Sequence, residues 1–555
     1  MGLDGKLRPK HSDDVIQPGT SNISYTLNNL RPNQSNHFRL VVVYSAGATY
    51  GGDIGFTTLL TRPVVATGRP LAVSYTNTTL WGTVDTFDAP ANVYFEWGTT
   101  TNYGNTTTPT VLNTSGSAWA TTQIAGLSSN TVYHYRLIAS NSVGISTGND
   151  FSFGTEGSLF YGSVLRDAIA AGGTITFSED GIASPAPLFE ITNNVTLDAN
   201  GHQVTLSGGR FIVRPGVELT LIGLTIQNVG FQNPGGESVG GAIVLDNATL
   251  RATNCAFINN RTVGGPGTYH PDGGGKDAKG GAIAAVNSTV QIVGCFFSGN
   301  NVEGGYGVSR GPFHFPPDGR SLGGAIWALG GSLSISGSLF HSNTAWKGFA
   351  PFFSTSALCA GGALYVQSNA VEISSSVFYD NAAFWNGGAI YSSGLFGMTN
   401  STFAGNWSQS EGTAVLLTNG VSSISHCTIA SNSFPNPTIG ASVGPALANR
   451  SGTLSIFGSI LAGNAAGNSV GVITDLGHNL SSDATPVWTS GTGLNNTDPL
   501  LGPLSDNGGF TFTFPLLPGS PAIDAANPLT APTADQRGVS RPQGPAPDIG
   551  SFERQ

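Results

Sequence analysis

Between residues 160 and 480 the chain repeats at intervals too short for any unit that could fold alone. Seven segments share one register: Cys255-Ala-Phe257, Cys295-Phe-Phe297, Ser338-Leu-Phe340, Ser376-Val-Phe378, Ser401-Thr-Phe403, Cys427-Thr-Ile429 and Ser459-Ile-Leu461. An asparagine stands five positions after each Cys or Ser: Asn260, Asn300, Asn343, Asn381, Asn406, Asn432 and Asn464. After a variable gap comes a Gly-Gly-Ala-Ile element, at 240–243, 280–283, 323–326, 361–364 and 387–390, with degenerate copies at Gly412 and Gly444. The shortest repeats are 25 or 26 residues. A unit that small cannot bury an apolar face, and its strands, such as Ser332-Leu-Ser-Ile-Ser336, alternate with period two. The repeats must stack on one another, with a rise of about 4.8 Å per coil, as a parallel β-helix.

Stacking turns each repeated position into a column. The pattern predicts an aromatic column inside, a small-residue column of Cys and Ser, and a ladder of asparagine amides at a turn. Cys255 and Cys295 fall in the small column, where Ser stands in other coils, so free buried thiols are expected rather than a disulfide. None of the four cysteines has zinc-ligand spacing.

Composition agrees with a repeat fold. With 78 Gly and 10% charged residues in 555, the chain departs from ordinary globular usage, yet 39% apolar and 9% aromatic residues are too many for disorder. The net charge of −10 supplies no field for nucleic acid or anionic lipid. No run is long and apolar enough for a membrane span, and the opening residues lack the apolar core of a signal peptide.

Residues 20–155 alternate apolar and polar side chains between turns, as short antiparallel strands do. Leu30-Arg-Pro-Asn33 with Phe38-Arg-Leu40 matches Leu127-Ser-Ser-Asn130 with Tyr135-Arg-Leu137 at the same spacing. The pattern resembles the second half of a fibronectin type III domain, which implies a partial module over 1–65, a full β-sandwich over 66–155 and a spacing role. The first copy has little chain before it for the early strands of such a sandwich, so the sequence is expected to begin inside a domain.

The Gly-Gly-Ala-Ile and Phe-x-x-Asn repeats resemble those of bacterial polymorphic outer-membrane proteins and related right-handed β-helix surface proteins. Ser163-Val-Leu-Arg-Asp-Ala-Ile169 is similar to the segment that opens many such helices, and implies a short amphipathic helix capping the first coil. Gly519-Ser-Pro-Ala-Ile-Asp524, Asp535-Gln-Arg-Gly538 with Arg541-Pro542, and Asp548-Ile-Gly-Ser-Phe-Glu553 resemble, in order, the motifs of the bacterial choice-of-anchor Q domain. There Asp535, Arg537, Arg541, Asp548 and Glu553 are expected to form an ion-pair network closing the last coil. The expected architecture is all-β: fibronectin-like modules, a right-handed parallel β-helix over 156–495, and a carboxy-terminal cap over 496–555. The resemblances imply an extracellular or surface-located bacterial protein, although this chain shows neither export signal nor sorting tail.

Chemistry is expected at one corner of the helix, because the long insertions after Asn260, Asn300 and Asn343 all leave the same turn. They carry Tyr269, His270, Asp272, Lys276, Asp277 and Lys279, then Tyr306, Arg310, His314, Asp318 and Arg320, then Trp346 and Lys347; Trp385 and Trp407 follow in short turns. Three readings stay open. The aromatic and polar groups could bind a polysaccharide, a cell-surface glycan or another copy of the chain; they could pack beneath the loops; or they could form a lyase or glycosidase site. In the last case His270, Lys276, His314 and Arg320 are the catalytic candidates, and aspartates would hold calcium; no other cofactor is implied. Compact lyase and polygalacturonase motifs are missing: Asn496-Thr-Asp498 reads as coil, and His478 as structural. The sequence therefore favours a non-catalytic structural, adhesive or glycan-binding protein, possessing surfaces suited to assembly into fibres.

Overall fold

The computed structural model describes residues 22–28, 30–71, 73, 76–114, 116–128, 131–155, 162–183, 188–267, 273–308, 316–348, 357–432 and 444–555. The chain divides into two compact units, Met1–Ser158 and Leu159–Gln555.

In the first unit, Val64–Thr67, Asn77–Asp85 and Ala118–Ala125 form one antiparallel sheet. A second sheet centres on Ala91–Gly98 and Val132–Asn141. Alternation puts Leu80, Val84, Ala120 and Ile124 of the first sheet against Val93, Phe95, Tyr135 and Leu137 of the second. The Tyr135 hydroxyl donates to the Gly68 carbonyl, so its one polar atom is satisfied inside this core.

The repeated pattern further upstream has a structural counterpart. Ser35–Phe38 pairs with Ile54–Thr57, and Val41–Tyr44 with Gly47–Tyr50. Adding 97 to each of these residue pairs gives the register of Val132–Asn141 with its two partner strands, as in Phe38↔Ile54 and Tyr135↔Phe151. Their burial differs: Phe38, Leu40 and Val42 are 47%, 52% and 41% exposed, whereas Tyr135, Leu137 and Ala139 are 0% exposed. The repeated motif was legible in the sequence; its strand pairing and the bare face were not.

The second unit is a parallel β-helix. One coil shows the plan: Ile283–Val286 and Thr289–Val293, a bend to Phe296–Ser298, a second bend to Asn301–Glu303, then an insertion and Ser321–Leu322. Each strand pairs in parallel with its counterpart one coil away. Among the described residues this builds sheets of 19, 11, 6 and 4 strands; most coils give the largest two strands, and two coils give it one continuous strand each, Leu364–Ser374 and Ile390–Thr399.

The predicted columns are present. Phe257, Phe297, Phe340, Phe378 and Phe403 stack with centroids 4.6, 4.6, 4.7 and 4.8 Å apart, the strand spacing itself. In the asparagine ladder every Nδ2 from Asn260 to Asn432 donates to the Oδ1 of the next rung at 2.8–3.1 Å. The second amide hydrogen goes back one coil, as from Asn343 to the Phe297 carbonyl at 3.0 Å. The same Oδ1 also accepts the main-chain N–H of the preceding rung. Both hydrogens and the oxygen are thereby used, which is what allows an amide to be fully buried.

The small column works differently. Ser338, Ser376 and Ser459 donate to a carbonyl two residues back and accept an N–H from the coil before. Cys255 and Cys427 make the same backward contact through sulfur, and all four cysteines are free and buried. Cys359 lies in another column, in register with Ser321.

Two glycines shape the insertion corner. Gly323 has φ 72°, a left-handed turn that favours glycine. At Gly324 a Cβ would lie 1.9 Å from the Gly362 carbonyl oxygen, so backbone contact between coils excludes a side chain. Ala325 and Ile326 then point into the core.

The helix Gly162–Ala171 lies at the start of the solenoid, with Leu165 and Ile169 buried in its core. At the other end the expectation of a cap closing the last coil needs correction. Leu494 bridges to Leu480 and completes the last turn, but the segment beyond runs back along the outer face of the 11-stranded sheet. Phe514, Leu516, Ala522, Ile549 and Phe552 pack on Ala404, Ala430, Ile460 and Ala462. Thr402 bonds Gln536 and Ser551, and Gly550 N–H reaches the Gly458 carbonyl. The outward side chains there are small, which leaves room for a second layer.

The five predicted charged residues do meet in that layer, largely through backbone. Asp535 pairs with Arg537 at 2.8 Å and accepts the Glu553 N–H; Glu553 accepts the Gln543 and Asp548 N–H groups. Arg541 is buried 3.7 Å from Glu553 and donates to the carbonyls of Asp548 and Gly550. Its chemistry is hydrogen bonding of a strandless segment as much as ion pairing.

Candidate functional site

Stacked insertions meet along the corner as expected, and their described parts are joined by main chain. Lys276 N–H donates to the Gly265 carbonyl at 2.9 Å, Gly305 to Lys276 at 2.8 Å, and Gly319 to Gly305 at 2.8 Å. A Cβ at Gly305 would sit 1.8 Å from the Gly265 oxygen, so this glycine-rich base has no space for side chains between neighbouring coils. Asp318 is buried within the base, its carboxylate accepting the Gly307 N–H at 2.9 Å. Tyr306 is exposed.

Beside the base lies a charged corner. Asp277 binds Arg320 at 2.6 Å and also accepts the Arg320 N–H. That hydrogen-bonded carboxylate raises the Arg320 pKa, so the guanidinium is permanently charged and already matched. Lys279 is buried, 2.5 Å from Glu237 and 3.8 Å from Asp277, with its ammonium 5.4 Å from the Trp327 ring centroid. Trp327 and Tyr365 pack with Leu322 and Ala360, and Tyr365 stacks on Tyr391 at 4.7 Å. Burial pushes the Tyr365 hydroxyl up to about 12. The predicted candidates Asp277, Lys279 and Arg320 thus come together, but as a closed set of pairs over a small apolar cluster. No shared base or nucleophile is left among them.

A second grouping is aromatic. Trp346 lies 5.5 Å from Phe384, edge to face, and 5.7 Å from Trp407; Phe384 meets Trp385 at 5.1 Å. Trp346, Phe384 and Trp385 are half-buried, leaving ring surface to solvent, while Trp407 is buried, its Nε1 having no hydrogen-bond partner among the described residues. Lys347 is exposed, its ammonium 4.6 Å from the Phe384 centroid. Parallel stacking explains the gathering, since Thr344 pairs with Ala382 and Ala382 with Trp407, so side chains far apart in sequence share one corner. Trp346, Lys347, Trp385 and Trp407 were predicted separately from three turns; the structure unites them and adds Phe384.

Tyr269, His270, Asp272, Arg310 and His314 lie outside the described residues. Lys276 is half-buried and is joined to Gly265 and Gly305 through its backbone. Among the described residues no group of three or more His, Cys, Asp or Glu is arranged to hold a metal ion. His478 is structural, with Nδ1 2.7 Å from the Ala525 carbonyl, and Asp498 caps its own turn by accepting the Leu500 N–H. An open hollow of about 530 Å³ on the first unit, lined by Arg69, Pro70, Asp150, Phe151 and Ser152, contains none of the predicted site residues. Sequence reasoning missed Glu237, Trp327 and Tyr365; the outward alternation at 327 and 365, one coil apart, was the available signal.

No protein-family model and no curated protein matches the chain. Among solved structures, the sensor domain of the anti-sigma factor RsgI4 of Pseudobacteroides cellulosolvens is similar at 15% identity over 17% of this chain and 95% of that chain, with a TM-score of 0.15. A family 28 exopolygalacturonase of Yersinia enterocolitica is similar at 9% identity over 76% of this chain and 92% of that chain, with a TM-score of 0.30. The reading of the site rests on the chain's own geometry. Among the described residues no helix is long and apolar enough to cross a membrane.

Proposed function

We propose that this chain is an extracellular bacterial β-helix protein that binds a glycan without chemically altering it. The observation that carries the reading is the aromatic group of Trp346, Phe384 and Trp385, which offers ring surface backed by the buried Trp407. Sugar rings stack on such surfaces through their apolar faces, and nearby polar groups meet their hydroxyls. The non-catalytic half of the proposal draws on Lys279 and Arg320, whose charges are taken by Glu237 and Asp277. In this reading residues 66–155 are a fibronectin type III module acting as a spacer, the coils are polymorphic outer-membrane protein type repeats, and the flanking layer is a choice-of-anchor Q domain at the cell surface.

The test is a panel of acidic and neutral polysaccharides, scored for binding by affinity electrophoresis and for turnover by reducing ends and by ultraviolet absorbance of unsaturated uronates. Binding of at least one glycan, lost in Trp385→Ala with an unchanged melting temperature, is the expected result. Turnover would instead favour a lyase or glycosidase, and absence of both would sink the glycan reading. Self-association is a second reading, favoured by the bare face of Phe38, Leu40 and Val42. It predicts concentration-dependent oligomers by light scattering that Leu40→Asp disperses.

A further inference from the structure

We infer that the glycan taken by the aromatic corner is acidic, with its carboxylate or sulfate seated at Lys347. This rests on the glycan-binding reading and adds the ligand class. The argument starts from charge. In a chain with 32 acidic and 22 basic residues, an ammonium group is expected to find a carboxylate. Several cations of the solenoid do: Arg261 pairs with Glu303, Lys279 with Glu237, Arg320 with Asp277 and Arg450 with Glu411, while Arg210 donates to the main-chain carbonyls of Val239 and Gly240. Lys347 does not. Among the described residues no carboxylate lies within ion-pair distance, and the ammonium is placed instead over the Phe384 ring.

The acids that could have reached it are already engaged. Glu303, in register with Trp346, is held by Arg261, and Asp318 is bound to the Gly307 N–H. A lysine poised over an aromatic ring, beside two further exposed ring surfaces, offers a positive charge and a stacking platform together. An acidic sugar has the required parts: a ring face for Trp346 and Trp385 and an anion for Lys347.

The test compares polygalacturonate and alginate (carboxylate), dextran sulfate (sulfate) and a neutral galactan and glucan, each titrated against the full chain and against Lys347→Met, Lys347→Arg and Trp385→Ala. Lys347 is exposed, so its variants are expected to keep the parent melting curve. The expected result is tighter binding of one acidic class, weakened about tenfold or more in Lys347→Met, largely kept in Lys347→Arg and weakened by added salt. Whichever acidic class responds identifies the anion. If acidic glycans bind but Lys347→Met binds them as well as the parent does, or if neutral glycans bind equally tightly, the acidic assignment is overturned while the glycan reading stands. If no glycan binds, both fall.

Discussion

At the residue scale the most telling group is His426. It is fully buried at a turn with φ 50°, and among the described residues neither ring nitrogen has a hydrogen-bond partner. Phe457 packs on it edge to face, and Arg541 of the flanking layer and His478 are the charged or titratable groups that act on it. Burial first, then the Arg541 charge, pushes its pKa down from the ordinary 6.5 to about 3. Because the folded value is depressed, the folded protein keeps His426 neutral while the unfolded chain takes up a proton below about pH 6.5. Stability from this site is complete above pH 6.5 and falls steadily as the pH drops towards 3, by a few kcal/mol in all. Urea midpoints measured between pH 7 and 4 should show this loss, and His426→Leu should flatten it. A parallel pH dependence in both proteins would mean that other groups govern acid sensitivity.

At the scale of the element, the ladders differ in how much they tolerate. Asn343 accepts the N–H and Nδ2–H of Asn300 and donates to Phe297 and Asn381. Replacing it with Ala strands two buried donors and the Phe297 carbonyl, while Asn381 Oδ1 keeps the main-chain N–H of residue 343, and at about 1 kcal/mol or more each the cost is about 3 kcal/mol. The small column is more forgiving: Cys295 stands where Ser338 and Ser376 stand, so Cys295→Ser should change stability by less than about 1 kcal/mol. Chemical denaturation of the two variants checks the contrast. Equal destabilisation would show that the asparagine ladder is not the stiffer of the two. The columns themselves were visible in the sequence because a solenoid converts a sequence period directly into spatial contact, as with Phe257, Phe297 and Phe340.

At the scale of the whole molecule, the solenoid unit has two layers where one was expected. Ala404, Ala430 and Ala462 face outward and are buried only because residues beyond 500 lie over them. Deleting 500–555 should expose this strip, lower the thermal midpoint of the solenoid and increase binding of a hydrophobic dye, whereas a merely terminal cap would leave coils near Phe403 unaffected. Hydrogen exchange at Thr402 and Thr428, compared with Thr289, locates the effect. The alanines were a signal available beforehand, since the corresponding outward positions nearer the start carry Ser298, His341 and Tyr379.

The sequence by itself determined the parallel β-helix, its inner columns, the free thiols and the motif repeated at an offset of 97, to which the structure added the matching strand register. These depend on periodicity, and periodicity is local information read along the chain. It also identified the corner from which the insertions leave. Only the tertiary structure decided which residues in that corner remain available, because pairing is set by side chains from different coils. Lys279 and Arg320 looked as free as Lys347 in the sequence, and only the positions of Glu237 and Asp277 distinguish them. The path of residues 500–555 was equally hidden: the segment has little regular structure and no period, and its hydrogen bonds join it to residues more than a hundred positions away.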